Sequence, residues 1–175
     1  MIEVNTKYTY EGYKQYYWFS LFRGKYYRYS KVIFHIFTVL AVVIAILAFT
    51  WLHSVPAAAI STVGTVAFFW LYLMSIIRPK RYVKQSPALF QSGYTFIFDE
   101  DSFSTMTTGD ITSGTSTAQY SALIKVYETI EVFYVYITPV QAYLLPKKDI
   151  VKGTPEELRG LLQSKLPQGK YILCK

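Results

Sequence analysis

The stretch "VIFHIFTVLAVVIAILAFTWL", residues 32–52, runs for 21 residues without a formal charge. Residues 55–77, "VPAAAISTVGTVAFFWLYLMSII", are also uncharged. As a helix with a rise of 1.5 Å per residue, each stretch is about 30 Å long, which matches the hydrocarbon core of a bilayer. A core helix of a soluble protein would keep a polar stripe toward water, and neither stretch has one. The sequence therefore predicts a transmembrane hairpin over residues 32–77, with a tight turn at residues 53–56.

Basic residues lie on both sides of this hairpin and are absent from its turn. Those before the first span are Arg23, Lys25, Arg28 and Lys31, and those after the second are Arg78, Lys80, Arg81 and Lys84. By the positive-inside rule, both termini are expected in the cytoplasm.

The net charge of +7 is concentrated beside the membrane, since residues 1–31 and 78–91 each carry +4 and residues 92–175 carry −1. These eight side chains are therefore candidate contacts for anionic lipid headgroups, at about 1 kcal/mol each. A nucleic-acid-binding domain would carry the basic patch on its own surface, so no nucleic-acid partner is expected.

Residues 1–31 are predicted to contain a short strand and an amphipathic helix. Apolar and polar residues alternate from Ile2 to Lys7, which is typical of a strand. Residues at helical spacing then predict a helix over residues 11–22, with an aromatic face of Tyr13, Tyr16 and Tyr17 together with Leu21. This face suits the membrane interface, and it would equally suit packing against the protein's own cytoplasmic domain. Residues 78–91 are predicted to be a basic connector containing two prolines.

Residues 92–175 are predicted to form an antiparallel β domain closed by a C-terminal helix. About six strand-like stretches rich in Val, Ile, Tyr, Phe and Thr follow one another at short separations. In "TPEELRGLLQSKL", Thr154, Pro155 and Glu157 carry the signature of a capped helix start. Four leucines then form one apolar face, namely Leu158, Leu161, Leu162 and Leu166. The expected architecture is a small barrel or sandwich plugged by this helix.

The run "YSALIKVYETIEVFYVYITPVQAYLLPKKDI", residues 120–150, together with the capped helix, resembles the YcxB-like family of small bacterial membrane proteins. The resemblance implies a two-helix hairpin in the bacterial plasma membrane and a cytoplasmic domain similar in organisation to pleckstrin-homology-like folds. The family often has tryptophan ahead of its "KV" strand, where this chain has Tyr120, so we expect that ring to keep a packing role.

Two polar clusters in the β domain are open to more than one interpretation. Lys147 and Lys148 follow Pro146, which ends a strand, and they are interpreted first as a solvated turn with a salt bridge to an acidic neighbour. The alternative is a weak anionic headgroup site, since lysine binds phosphate as a point charge. Residues 99–101, "DED", are predicted to be a hairpin turn because their spacing fits no calcium loop.

The hairpin itself carries small residues on one face of each predicted helix, namely Ala41, Ala45 and Ala48 on the first and Ala57, Ser61 and Gly64 on the second. Such residues let helices approach closely in lipid. We expect them to pack the hairpin on itself, with homodimerisation as the alternative. His35 is interpreted as solvated or hydrogen-bonded rather than as part of a proton path.

No cluster of residues indicates catalysis. The two histidines, His35 and His53, lie in or beside the hairpin, and Cys174, the single cysteine, allows no intrachain disulfide and fits a reducing cytosol. We therefore expect no enzyme activity, cofactor or metal, and a membrane-anchored binding or regulatory module with an unidentified partner. The alternative function is an accessory subunit of a membrane transporter or channel. The sequence leaves the oligomeric state open.

Overall fold

The computed structural model describes residues 1–21, 30–51, 55–109 and 113–174 of the chain. Five helices lie within these ranges: α1 (Tyr10–Leu21), α2 (Ser30–Trp51), α3 (Val55–Gln85), α4 (Pro87–Gln91) and α5 (Pro155–Lys165). The nine strands described are β1 (Ile2–Lys7), β2 (Gly93–Phe98), β3 (Ser102–Thr108), β4 (Gly114–Gln119), β5 (Lys125–Glu128), β6 (Val132–Tyr136), β7 (Ala142–Pro146), β8 (Ile150–Lys152) and β9 (Tyr171–Leu173).

The strands form two sheets, and the protein is a mixed α/β molecule. The first sheet has the order β4-β3-β2-β1-β8 and is antiparallel throughout. The second has the order β7-β6-β5-β9, in which β5 and β9 run parallel. The predicted strand count of about six was too low. The prediction of a wholly antiparallel domain was wrong for β9, which runs parallel to β5. Short strands such as β8 and β9 have too few residues to show a periodic pattern of their own.

The two sheets enclose one apolar core that α5 closes. Fully buried side chains from both sheets meet there, including Val4, Phe96 and Phe133, and α5 contributes Leu158 and Leu162. The predicted capping box is confirmed, because the Thr154 hydroxyl accepts from the Glu157 backbone at 3.2 Å and the Glu157 carboxylate accepts from the Thr154 backbone at 2.9 Å. Burial of Leu158, Leu162 and Leu166, with Leu161 half-buried, confirms the leucine face of α5.

A second core lies on the outer face of β6, where α1 covers it. Phe133 and Val135 point into the main core, while Tyr134 and Tyr136 point the other way. The Phe19 ring stacks on Tyr134 with ring centroids 4.3 Å apart. All five residues of β6 are therefore buried. Of the two interpretations of the aromatic helix, packing on the protein's own domain is the one the structure supports.

Helices α2 and α3 pack as an antiparallel pair. The Thr65 hydroxyl donates to the Ala41 carbonyl at 3.3 Å, and the His35 and Tyr72 rings meet edge to face at 5.3 Å. Ala41 and Ala45 are half-buried in this contact, as expected. Gly64 is exposed with nothing near it, so its expected place at the contact is wrong. Thr65 occupies that place because it lies about 100° further round the helix.

The predicted turn at residues 53–56 is wrong for Val55 and Pro56, which already belong to α3. The rest of that turn and the side chains of Ala48, Ala57 and Ser61 lie outside the part of the chain that the structure describes. Within the described residues, one helical stretch, Thr62–Gln85, is long and apolar enough to cross a bilayer, and His35–Leu47 is a shorter apolar stretch.

Helix α3 continues through the predicted connector. It passes Pro79 and ends at Gln85, and only α4 separates it from β2. Pro79 has no N–H to donate to the Ser75 carbonyl, yet Ser75 and Pro79 are both buried. Residues 78–85 are thus a rigid helical extension rather than a loop.

Candidate functional site

The last turns of α3 carry a basic face. At 100° per residue, the four cations occupy one side of the helix, and the buried residues Ser75 and Pro79 occupy the opposite side. The exposed cations are Arg78, Lys80, Arg81 and Lys84. None of them is ion-paired with any residue that the structure describes. We call these four residues the basic face.

The other predicted lipid contacts cannot be placed in the same way. Arg23, Lys25 and Arg28 lie outside the described residues. Lys31 belongs to the first turn of α2, but its side chain is outside the described part.

The lysine pair after β7 is divided between two environments. Lys147 and Lys148 lie in a single 3-10 turn between β7 and β8. The Lys147 ammonium donates to the Glu128 carboxylate at 2.6 Å, and its side chain is 18% exposed. Lys148 is exposed. The expected solvated turn is therefore wrong for Lys147, whose salt bridge is made to a carboxylate in the core.

Glu128 is the centre of a buried charge cluster. Its side chain is fully buried in β5 and accepts two bonds from the Arg159 guanidinium on α5, at 2.8 and 2.5 Å. Lys147 and the Tyr171 hydroxyl of β9 donate to the same carboxylate. One side chain thus joins four separate elements of the domain.

The electrostatics of this cluster follow from its geometry. Burial alone would raise the pKa of Glu128, but hydrogen bonds from Arg159, Lys147 and Tyr171 outweigh it and lower the pKa to about 2. Burial and the hydrogen bond to Glu128 raise the pKa of Tyr171. The carboxylate is therefore ionised and already saturated with donors, which does not suit a general base.

Sequence reasoning missed Glu128 and Arg159, although one signal was present. In a strand, residues two apart share a face, so Glu128 lies on the same side of β5 as the core residue Val126. A carboxylate on a core-facing position requires cationic partners.

The acidic turn at residues 99–101 is confirmed as the hairpin between β2 and β3, closed by the Asp99 backbone N–H donating to the Ser102 carbonyl at 3.0 Å. Tyr120 keeps the expected packing role, since it is buried in the main core and its hydroxyl donates to the Asp99 carbonyl at 2.7 Å. Burial, followed by the nearby Asp99 and Asp101, raises the pKa of Tyr120 to about 12.

A cavity of about 360 Å³ lies where α1, the end of α3 and both sheets meet. Seven aromatic residues line much of it, namely Tyr8, Tyr13, Tyr16, Tyr82, Phe90, Tyr94 and Tyr143. The remaining wall comes from Leu89 on α4, from the segment between β6 and β7 and from β7 itself. We call this space the aromatic cavity.

The rings around the aromatic cavity are held in place by stacking. Tyr8 stacks on Tyr94 at 4.6 Å, and Tyr13 stacks on Tyr82 at 4.7 Å. The second pair joins α1 to the basic extension of α3. Burial, with smaller contributions from neighbouring tyrosines, raises the pKa of Tyr13 to about 12, so its hydroxyl is neutral at physiological pH.

The Tyr8 hydroxyl is a polar group enclosed within this apolar wall. It is shielded from solvent and makes no hydrogen bond of good geometry with any residue that the structure describes. Burial raises the pKa of Tyr8, and the adjacent Leu144 backbone offsets this only in part. This cavity could not be predicted from sequence, because its lining residues come from five elements and two connecting segments that lie far apart in the chain.

The described part of the chain contains no group of three or more His, Cys, Asp or Glu side chains arranged to hold a metal ion.

Comparison with known families identifies one segment of the chain. A family model described as "YcxB-like protein" matches residues 98–162, from the end of β2 to the middle of α5. No curated protein and no solved structure matches the chain. The match covers less than half of the chain and leaves out β1, helices α1 to α4 and β9. It confirms the resemblance that residues 120–150 indicated, and residues 98–162 are therefore a YcxB-like segment.

Proposed function

We propose that this protein is an integral membrane protein of the bacterial plasma membrane, in which α2 and α3 span the bilayer as a hairpin. Its two-sheet domain is held at the inner leaflet as a non-enzymatic binding or regulatory module. The N-terminal segment and the domain lie together on the cytoplasmic side. We further propose that the sheets and α5 form a pleckstrin-homology-like arrangement.

The observation that carries this proposal is the exposure of apolar side chains on nearly every side of α2 and α3. In α2, only the stripe of Thr38, Ala41 and Ala45, which faces α3, is half-buried among the described side chains from residue 35 to residue 47. In α3, Val63 and Val66 are 69% and 62% exposed. A contiguous exposed apolar surface of this size is unfavourable in water, whereas a lipid environment solvates it.

The position of the basic face supports the orientation. It begins at Arg78, directly after the apolar part of α3, so its cations would lie at headgroup depth. Because α3 remains helical and packs on α1 through Tyr82 and Tyr13, the domain follows the helix without a flexible linker.

The role as a binding module rather than an enzyme is supported by the saturation of Glu128. This fully buried carboxylate already accepts from three side chains and cannot act on a substrate. Lys147 is held in the same cluster, which leaves the basic face as the better candidate for headgroup contact.

The full chain is needed to test headgroup contact, because β1 lies between β2 and β8 and a fragment starting at Arg78 would lack it. We suggest reconstituting the protein with Trp51 replaced by phenylalanine. Quenching of Trp70, 60% exposed on α3, by brominated anionic or zwitterionic lipid then measures the preference for anionic lipid. The buried Trp18 gives an unquenched background.

Replacing all four residues of the basic face by glutamine should remove most of the preference for anionic lipid, since each cation contributes about 1 kcal/mol, or about fivefold, near the surface. The matched control, Lys148→Gln, should keep it. The preference should also fall as salt shortens the Debye length from about 10 Å at 0.1 M to about 3 Å at 1 M. A large loss in the Lys148→Gln protein, with the basic-face variant unchanged, would assign headgroup contact to the turn after β7 instead.

A further inference from the structure

We propose that β4 is an interface between two copies of this chain. In this dimer, β4 of one copy pairs antiparallel with β4 of a second copy, and the two five-stranded sheets become one continuous sheet. The inference goes beyond the proposed function, and it uses neither the basic face nor the Glu128 cluster.

β4 is an edge strand of the first sheet, and its outer side is open in the described part of the chain. It pairs with β3 on one side, from Gly114 to Gln119. All of its residues except Ala118 are exposed, although they point alternately to the two faces of the sheet. The edge of such a strand presents a row of N–H and C=O groups to which another strand can pair.

The other sheet edges carry features that hinder such pairing. β8 and β9 are three residues long, and β8 ends at the exposed Lys152. β7 ends at Pro146, which has no N–H to donate. β4, by contrast, is six residues long and contains neither a charged residue nor a proline. Since edge strands are usually protected by shortness, lysine or proline, the unprotected edge of β4 indicates that a strand pairs there.

A second copy of β4 suits this edge because identical strands bring no like charges together. Asp110 is the single charged residue between residues 102 and 124, and it lies outside β4. The Ser104 and Thr117 hydroxyls already hydrogen-bond across β3 and β4 at 3.0 Å. Cross-strand pairs of Thr and Ser side chains are favourable, and β4 paired with β4 would repeat them. A charged peptide would find no complementary charge on this strand.

Two-fold symmetry fixes a testable detail of the pairing. The axis that relates two antiparallel copies of one strand is perpendicular to the sheet, so residues opposite each other point to the same face. Their residue numbers are then both even or both odd, and one residue lies directly opposite its own copy. A register centred on Ser116 or Thr117 pairs the largest part of β4.

The first test is a cysteine scan of the full chain in isolated membranes, in a Cys174→Ser background. Copper phenanthroline oxidises single cysteines that replace, in turn, Thr115, Ser116, Thr117 and Ala118. Opposed Cα atoms lie about 4.5–5.5 Å apart, which a disulfide spans. The next residue and its own copy are at least about 7 Å apart, because the strand rises about 3.4 Å per residue.

We expect a disulfide-linked dimer with Ser116→Cys or Thr117→Cys and only background cross-linking at the residues on either side of that position. Val151→Cys, on the exposed β8 edge of the same sheet, is the matched control and should give background cross-linking.

The second test introduces charge on β4. Lysine at both Thr115 and Thr117 places like charges opposite one another in either register. Dimers counted by single-molecule photobleaching in zwitterionic vesicles should then be lost, and glutamate at both positions should have the same effect. Vesicles that contain the lysine and the glutamate proteins together should regain dimers, a result that a folding defect in either protein cannot produce. Val151→Lys should leave the dimer unchanged.

The fold of each variant is checked by its melting temperature, which should match that of the parent because β4 is exposed on both faces. If the lysine variant unfolds, the cysteine scan still decides the question.

The proposal is overturned by a monomeric parent protein, by cross-linking at β4 no greater than with Val151→Cys, or by dimers that survive in the lysine variant. Surviving dimers would assign the contact to another surface, such as the hairpin. These results would leave the lipid preference of the basic face intact, since it depends on other residues. Loss of that preference in a protein that still cross-links through β4 would instead refute the headgroup contact alone.

Discussion

Replacing Glu128 by glutamine tests whether one buried carboxylate holds four elements of the domain together. The substitution keeps the size of the side chain and removes its charge. Arg159 and Lys147 would then remain beside the core without a counter-charge, and Tyr171 would lose its anionic acceptor. Removing one partner of a buried ion pair typically costs 3–5 kcal/mol.

The lowered pKa of Glu128 expresses the same contacts as a dependence of stability on pH. A shift of the Glu128 pKa from 4.5 to about 2 corresponds to about 3 kcal/mol of folding free energy. Because the pKa is lower in the folded state, this stabilisation is fully present above about pH 4.5 and is lost as the pH falls toward 2. About 2 kcal/mol of it should be gone at pH 3.

The assay is urea unfolding of the full chain in nonionic detergent, followed by near-ultraviolet circular dichroism at pH 7 and pH 3. We expect Glu128→Gln to be at least about 3 kcal/mol less stable than the parent protein at pH 7, and the difference to shrink at pH 3. Glu131→Gln, at an exposed neighbour, should change the stability by no more than about 0.5 kcal/mol. A Glu128→Gln protein within 1 kcal/mol of the parent, or a difference independent of pH, would refute this reasoning.

Two further substitutions test packing and backbone geometry. Phe19→Ala should lower the free energy of unfolding by about 3–5 kcal/mol. It should also loosen the cluster that buries Cys174, so that a maleimide modifies this thiol much faster. Leu21→Ala, at an exposed position, should leave the rate of modification unchanged. Gly153 has φ +86°, and a Cβ there would lie 3.1 Å from Ile2. Gly153→Ala should therefore lower the melting temperature. Gly160 lies in α5 with open space around it, so Gly160→Ala should raise the melting temperature by an amount equivalent to about 0.5–1 kcal/mol. Equal melting temperatures for the two glycine variants would contradict this account.

Local features of the domain were predictable because each depends on neighbours in sequence. The start of α5 required only Thr154, Pro155 and Glu157. The alternation of Tyr94, Phe96 and Phe98 set the inward face of β2, and Phe96 and Phe98 are indeed almost fully buried.

Features that depend on distant partners were not predictable in the same way. β1 pairs with both β2 and β8, so an N-terminal segment completes a sheet that begins some 90 residues later. β9 is three residues long and is strand only because it lies beside β5. Helix α3 passes Pro79, since burial of that turn and the stacking of Tyr82 on Tyr13 offset one lost hydrogen bond.

The aromatic cavity and the Glu128 cluster illustrate the same limit. Tyr8 precedes α1, Tyr13 lies in α1 and Tyr82 lies in α3, and these rings meet only after the sheets and helices pack. Glu128 was visible as a carboxylate on a core-facing strand position, but its partner Arg159 is 31 residues away. Local periodicity carries no information on that distance.

The measurement that tests the central proposal most directly is the side of the membrane on which each end of the hairpin lies. In a Cys174→Ser background, the variants Ser54→Cys and Lys148→Cys place one thiol in the predicted turn and one on the domain. A membrane-impermeant maleimide is applied to intact bacteria and to opened membranes. We predict that the Ser54→Cys protein is modified in intact cells and that the Lys148→Cys protein is modified only after the membranes are opened. Modification of the Lys148→Cys protein in intact cells, or recovery of the protein in the soluble fraction, would contradict the proposal.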